Sequence, residues 1–313
     1  MAVYNGEKYL SEQINSILGQ SYKEWQLLIR DDGSRDTSPD IIKDYARRYP
    51  DNIRLITDQD GNIGVSQNFL RLLDHADTDY VMFCDQDDIW LPDKIEAAFA
   101  KIEDMESQFG KETPVLVHSD LKVCDKNMNI IMDSLWKYQY LDPTKGVTLN
   151  RLLVQNVVTG LSVMINKSLK QLIHSIPKDA ISYDWWISLA AAAFGKIGYI
   201  KFPTALYRQH ENNAIGAKKW QVWFAAKTFL FGKDKMLGKS AAALANTILL
   251  KTQWQAKAFL DVFKNELTEK YIDLLNVYLT LDRQSFFVKR RNLIKYRFFK
   301  IGFLRNIGLF LTV

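Results

Sequence analysis

Residues 81–90 read Val-Met-Phe-Cys-Asp-Gln-Asp-Asp-Ile-Trp, an apolar run that stops in three carboxylates, Asp85, Asp87 and Asp88. Side chains alternate along an extended chain, so Asp85 and Asp87 share one side. Carboxylates gathered at such a point need a cation. Hard oxygen ligands suit Mg2+ or Mn2+, completed by water and phosphate oxygens. An acidic turn that merely begins the next helix has the same composition, and the other polar turns weigh against that simpler explanation. Asp31-Asp32 ends a second apolar run, Asp184 opens an alanine-rich stretch, and His210 follows a further strand-like run. Four such turns match a nucleoside-diphosphate donor site. That site needs groups for base and ribose, a cation for the diphosphate, and a base for the incoming hydroxyl.

The elements that must position these groups alternate. Strand patterns at 26–30, 53–57 and 80–84 are interleaved with helical patterns at 7–18, 39–49 and 67–75, the rhythm of a doubly wound α/β domain. In that architecture ligands collect at the carboxyl ends of the strands. Residues 1–6 read as the end of a first strand, most of which is missing before Val3, running into an Asn5-Gly6 turn. Ser38 is suited to cap the helix that Pro39 begins. Further on come a helix at 92–108, a strand at 114–118 and a hairpin within 121–131. A short helix at 149–153, a strand at 157–165 and helices at 167–176 and 182–194 follow, then strands at 198–202 and 205–207. Beyond the boundary expected near Gly216, four helical patterns run at 218–231, 240–250, 252–263 and 270–281. The expected organisation is a catalytic part, 1–216, and a helical, basic part, 217–313.

Composition fits a folded protein: 313 residues, 47% hydrophobic and 25% charged, with a net charge of +5. Cys84 and Cys124 make no disulfide framework, as expected of a reducing cytoplasm. The N-terminus lacks signal-peptide character, and no run approaches the roughly 18 apolar residues of a membrane span. From Gln284 onward there are seven basic residues and no acid, interleaved with aromatics. Basic plus aromatic composition can serve nucleic acid, but no binding motif accompanies it here. A basic amphipathic helix lying on an anionic membrane surface fits better than nucleic acid or a helix simply packed on the catalytic part.

Taken in order, several motifs carry a resemblance: Ala2-Val3-Tyr4-Asn5-Gly6-Glu7-Lys8-Tyr9-Leu10, Asp31-Asp32-Gly33-Ser34-Arg35-Asp36, Asn62-Ile63-Gly64, Asp85-Gln86-Asp87-Asp88-Ile89-Trp90 and Asp184-Trp185-Trp186. With them, residues 2–216 resemble a family 2 inverting glycosyltransferase of GT-A fold, a Rossmann-like mixed sheet flanked by helices. The acid motif together with Tyr207-Arg208-Gln209-His210 and Asn213-x-x-Gly216 is similar to bacterial rhamnosyltransferases of surface-polysaccharide pathways. The resemblance implies roles for individual residues. Asp31 and Asp32 contact pyrimidine and ribose, with Tyr4, Asn5 and Glu7 beside them and Asn62 and Gly64 along the nucleotide. Asp85 reaches the ribose or the metal. Asp87 and His210 hold Mg2+ or Mn2+, and Asp184 is the general base. Trp185 and Trp186 are candidates for stacking on an acceptor sugar. The implied donor is a dTDP- or UDP-sugar, foremost dTDP-β-L-rhamnose, and the acceptor a lipid-linked saccharide. A nucleotidyltransferase also uses an Asp pair and a metal, but Asn5-Gly6-Glu7 stands where it carries a glycine-rich basic loop. Intact Asp85, Asp87 and Asp184 weigh against a non-catalytic nucleotide-sugar-binding protein.

Overall fold

The computed structural model describes residues 1–211, 213, 216–217 and 241–312; the helix expected over 218–231 lies outside them. The chain forms two compact units. The first comprises Met1–Leu135, Val158–Ile176 and Gly195–Ala217, and the second Trp136–Val157, Pro177–Phe194 and the described part of Lys218–Val313. Elements are numbered along the chain.

The first unit opens with β1 (Ala2–Val3), α1 (Leu10–Leu18), β2 (Leu27–Asp31), α2 (Ser38–Arg48), β3 (Ile53–Leu55) and α3 (Val65–Asp74). The three strands lie side by side in the order β1-β2-β3, all parallel, with Val3 opposite Asp31 and Ile29 opposite Leu55. Next come β4 (Tyr80–Met82), β5 (Ile89–Trp90), α4 (Lys94–Phe109), β6 (Val115–Cys124) and β7 (Ile130–Met132). The unit is completed by β8 (Met164–Asn166), α7 (Lys167–Leu172) and β9 (Lys196–Arg208). These strands build a second, mixed sheet in the order β4-β8-β6-β9-β5, with β7 on β6. Its β6–β9 pair is parallel, and the other pairs are antiparallel.

β6 is buried along nearly its whole length, as expected of a β-branched strand covered on both faces. Val115 and Val117 pack with Ala98, Ile102 and Met105 of α4. Three differences from the sequence expectations have local causes. The strand expected at 157–165 is a 3-10 turn at Gly160–Ser162 followed by β8, with the Ser162 hydroxyl bonded to Thr159 O at 2.6 Å. The two strands expected at 198–202 and 205–207 are one, because a register shift beside Asp120 accommodates Pro203. The Ser38 hydroxyl does not cap α2 but accepts from the Gly6 N–H at 2.8 Å.

In the second unit are α5 (Leu135–Gln139, from Trp136 on), α6 (Leu149–Leu152), α8 (Tyr183–Phe194), α9 (Ala241–Phe263), α10 (Glu269–Leu279), α11 (Phe286–Lys295) and α12 (Phe303–Thr312). Residues 136–157 and 177–194, assigned from the sequence to the catalytic part, cluster here because α8 is apolar on nearly every side. Trp186 is 0% exposed, with Phe259 and Phe263 of α9 at ring distances of 5.4 and 6.0 Å. Two helices expected at 240–250 and 252–263 form the single α9, since neither Gly nor Pro interrupts it. The buried Tyr278 hydroxyl joins α10 to Leu153 O at 2.9 Å and to Thr252 at 2.7 Å.

Two glycines give opposite expectations. A Cβ on Gly195 meets the Pro114 carbonyl oxygen at 1.8 Å, whereas one on helical Gly308 meets nothing within 4 Å. Gly195→Ala should lower stability by about 1–3 kcal/mol through overpacking. Gly308→Ala should raise it by up to about 1 kcal/mol. Denaturant midpoints of the two variants check both signs.

Candidate functional site

Because Val3 lies opposite Asp31, the ends of β1 and β2 deliver Tyr4-Asn5 and Asp31-Asp32 side by side. The two aspartates differ. Asp32 is buried with its oxygens occupied: it accepts Arg30 Nη1 at 2.8 Å, the Ile63 N–H at 2.9 Å and the Gly64 N–H at 2.8 Å. Asp31 Oδ2 accepts from the Gly33 and Ser34 N–H groups at 3.1 and 3.0 Å. Its Oδ1 is buried with no hydrogen-bond partner. An unmatched buried acceptor costs about 1–3 kcal/mol, so a ligand N–H or O–H reaching this oxygen gains a stronger contact than one at a solvated carboxylate.

Tyr4 is 46% exposed, yet its backbone is fixed. Its N–H donates to Gln86 Oε1 at 2.8 Å, and Gln86 Nε2 donates to its carbonyl at 2.9 Å. The ring thereby offers an open face for an aromatic base. Asn5 sits at a φ of 49°, held through its N–H to Ser34 Oγ and through Oδ1 from the Arg35 N–H, both at 2.8 Å. The Glu7 carboxylate is engaged locally, accepting the Thr37 N–H at 3.0 Å and the Thr37 hydroxyl at 2.8 Å. Asp36 accepts the Ser38 N–H at 3.0 Å, so two acids cap the positive end of α2. Asn62 and Gly64 lie on the exposed loop that Asp32 tethers.

Nothing in the sequence singles out Arg30 and Asp58, yet they anchor that loop. Arg30 is 1% exposed. It donates to both Asp58 oxygens, at 2.6 and 2.8 Å, to Gly61 O at 3.1 Å and to Asp32. The only cue available is that Arg30 lies in an otherwise apolar strand run, where a cation must find acids.

The acid motif is set by the other sheet. Ile89 pairs with Leu206 and Trp90 with Ala205, which brings residues 85–88 to the end of β9. Asp87 Oδ2 and His210 Nε2 are 2.8 Å apart, with side chains 16% and 11% exposed. The His210 ring packs on Tyr9 at 4.9 Å. Asp88 is buried and accepts the Arg208 N–H at 3.0 Å through Oδ1. Burial, reinforced by the charges of Asp87 and Asp85, pushes its carboxyl well above the usual range. Asp88 thus braces the end of β9 through the Arg208 N–H. Arg208 donates to Asp87 O at 2.8 Å, to Lys126 O at 3.2 Å and to the Glu12 carboxylate, with its guanidinium 4.3 Å from the Tyr9 ring centre. Burial pushes the neighbouring Cys84 thiol up to about 12, an unreactive group that accepts from Gln13 Nε2 at 2.8 Å. Asp85 is half-buried beside these residues.

Among the described residues no group of three or more His, Cys, Asp or Glu side chains is arranged to hold a metal ion. The Asp87–His210 pair still fits a divalent cation of the kind bound by one or two protein groups plus phosphate oxygens and water.

Asp184 and the two tryptophans belong to the other unit. Asp184 lies in the first turn of α8, 8% exposed. Its Oδ1 accepts from the Ser182 hydroxyl and from the Trp185 N–H at 2.8 Å, and Oδ2 from Asn156 Nδ2 at 3.4 Å. Trp186 belongs to the aromatic core described above, which leaves no face of it for an acceptor. Trp185 is half-buried and donates through Nε1 to Leu152 O at 2.5 Å.

Residues 1–110 match the protein family described as Glycosyl transferase family 2. That stretch is therefore similar to family 2 glycosyltransferases, and the fold is GT-A. Among curated proteins it is 29% identical over 256 residues to the dTDP-rhamnosyl transferase RfbG of Shigella flexneri, covering 79% of this chain and 84% of that one. Among solved structures it resembles S. aureus TarS in complex with UDP-GlcNAc, with a TM-score of 0.54 and 16% identity over 95% of this chain and 88% of that one. It also resembles the mannosyltransferase PcManGT from Pyrobaculum calidifontis in complex with GDP-Man and Mn2+, with a TM-score of 0.50 and 17% identity over 95% and 84% of the respective chains.

The Arg30 clamp makes two expectations. Arg30→Met leaves Asp32 buried without its counter-charge and should cost about 3–5 kcal/mol. The Arg30 N–H donors hold the Asp58 carboxyl down at about 2, below its ordinary 3.8. A depressed carboxylate stabilises the fold above its ordinary pKa and loses that contribution as pH falls through the lowered value. The stability gap between wild type and Asp58→Asn should thus be constant above about pH 4 and close as pH approaches about 2. Denaturant melts across that range read it directly.

Proposed function

We propose that this protein is a divalent-cation-dependent, inverting glycosyltransferase that takes a pyrimidine nucleoside-diphosphate sugar, foremost dTDP-β-L-rhamnose. Its acceptor in this reading is a lipid-linked saccharide at the cytoplasmic face of the membrane, in the assembly of a surface polysaccharide. The carrying observation is the unpartnered Asp31 Oδ1 at the end of β2, on the strand that pairs with the β1 end from which the exposed Tyr4 follows. A pyrimidine offers an imide N–H to the one and an aromatic face to the other. Rhamnose is supported by the similarity to the Shigella enzyme. A UDP-N-acetylhexosamine is the second reading, favoured by the likeness to TarS, whose complex holds UDP-GlcNAc.

Asp32, with Arg30, sets the loop that carries Asn62 and Gly64 along the nucleotide, and Asn5 and Glu7 fix the turn beneath Tyr4. Asp85 takes the ribose hydroxyls. Asp87 and His210 hold the cation, and the imidazole nitrogen favours Mn2+ over Mg2+. When bound, the cation neutralises the departing diphosphate, so the leaving group needs no protein acid. Asp184 accepts the proton of the acceptor hydroxyl as that oxygen bonds the anomeric carbon and the bond to the diphosphate breaks. Attack opposite the leaving group inverts the centre and gives an α-glycoside from a β-linked donor. Trp185 offers its remaining face to the acceptor sugar.

The test measures nucleoside-diphosphate release from dTDP- and UDP-sugars with Mn2+ or Mg2+ and a membrane lipid extract. The expected result is turnover of dTDP-rhamnose that stops in chelator. Asp87→Ala and Asp184→Asn should each lower kcat by about 100-fold or more. Turnover of a UDP-sugar alone replaces the donor. Full turnover by both variants contradicts the assigned roles.

A further inference from the structure

The basic C-terminal stretch leaves a particular set of apolar side chains uncovered. In α11, Asn292 and Leu293 face inward, and Phe298 is buried just beyond the helix. Phe286, Phe287 and Ile294 are 59, 83 and 59% exposed. In α12, Leu309 faces inward, while Phe303, Leu304, Ile307 and Leu311 are 79, 46, 37 and 53% exposed. The spacing of these four residues is one continuous stripe of a helix. An apolar stripe turned outward opposes the burial that drives folding and marks a surface with a partner. The two helices are firmly joined. Arg290 lies 3.6 Å from the Phe286 ring centre and donates to Phe310 O at 2.5 Å, and Phe299 stacks on Phe310 at 6.1 Å. The exposed rings thus belong to one packed substructure.

Charge identifies the partner. Arg291, Lys295 and Arg297 are exposed among these apolar side chains, and no acidic residue occurs after Asp282. A second copy of the chain would bring like charge against like. A nucleic acid would answer the charge but not the seven apolar side chains. We infer that α11 and α12 dock on an anionic lipid bilayer, with Phe287 and Phe303 entering the boundary of the acyl chains. Arg291, Lys295 and Arg297 meet the headgroup phosphates. Among the described residues no helix is long and apolar enough to cross a membrane, and the contact is interfacial. The inference deepens the proposed lipid-linked acceptor and rests on that reading for its purpose. Docking itself involves neither donor nor acceptor.

The full chain, without donor or acceptor, is floated with vesicles of phosphatidylcholine alone or mixed with phosphatidylglycerol. Binding should be confined to the anionic vesicles and weaken with salt. Each of Arg291→Gln and Lys295→Gln should lower partitioning about fivefold. The paired change Phe287→Ser and Phe303→Ser should abolish it without moving the denaturant midpoint, since both positions are exposed. Cys84 and Cys124 are buried, so Phe303→Cys can be labelled selectively with an environment-sensitive dye. Its emission should shift to the blue on anionic vesicles. Equal binding to both vesicle types, no binding, an unshifted dye, or a dimer in light scattering that Phe287→Ser dissolves would each overturn the inference. Turnover of a nucleotide sugar alongside any of those results would leave the catalytic reading intact.

Discussion

The Arg208 guanidinium is buried, and three separate segments meet on it: the acid loop through Asp87 O, the hairpin turn through Lys126 O, and α1 through Glu12 and the Tyr9 ring. Its own backbone N–H is taken by Asp88. A charge removed from water this far is tolerated only when every donor finds an acceptor. The acid loop therefore keeps its conformation because β9 ends where it does. His210, two residues beyond Arg208, reaches Asp87 by the same placement. Lysine has neither the planar fork nor the number of donors to hold all three segments.

The end of the unit where β1 and β2 stop works on the same physical rule with different residues. Arg30 is buried among Asp58, Asp32 and the Gly61 carbonyl, and Asp32 in turn holds the loop by two backbone N–H groups. In both places a buried cation organises acids and carbonyls. At one end Asp31 Oδ1 is left without a hydrogen-bond partner and the Tyr4 ring is exposed, and at the other Asp87 is brought to His210. Gln86 links the ends, since its side chain clasps the Tyr4 backbone from within the acid motif.

Much of this was legible in the residues. The strand-to-acid transitions at 31–32 and 85–88 located the carboxyl ends of β2 and the acid loop, because an apolar run that stops in carboxylates has few structural uses. His210 was legible as a site candidate from its place after a strand. The anchoring cations were not. Arg30 and Arg208 act through partners 28 and 121 residues away, and pairings at such separations leave no local pattern. Trp186 misled for a related reason: its exposure depends on Phe259 and Phe263, which lie far along the chain. The long β9 was hidden by Pro203, whose effect a bulge opposite Asp120 absorbs. Asp184 stands in the first turn of α8, where its carboxylate accepts the Trp185 N–H, an arrangement that its position before an apolar run makes legible.

The most direct test of Arg208 as the organiser is hydrogen–deuterium exchange of Arg208→Lys against wild type, read by segment. The account predicts that amides of residues 85–90 exchange at least about tenfold faster in the variant, a local opening of the kind such experiments resolve. Those of 27–31 and 53–55, held by the separate Arg30 clamp, should keep their protection. Unchanged protection over 85–90, or an equal loss across all three segments, would contradict the claim that this one guanidinium holds the acid loop in place.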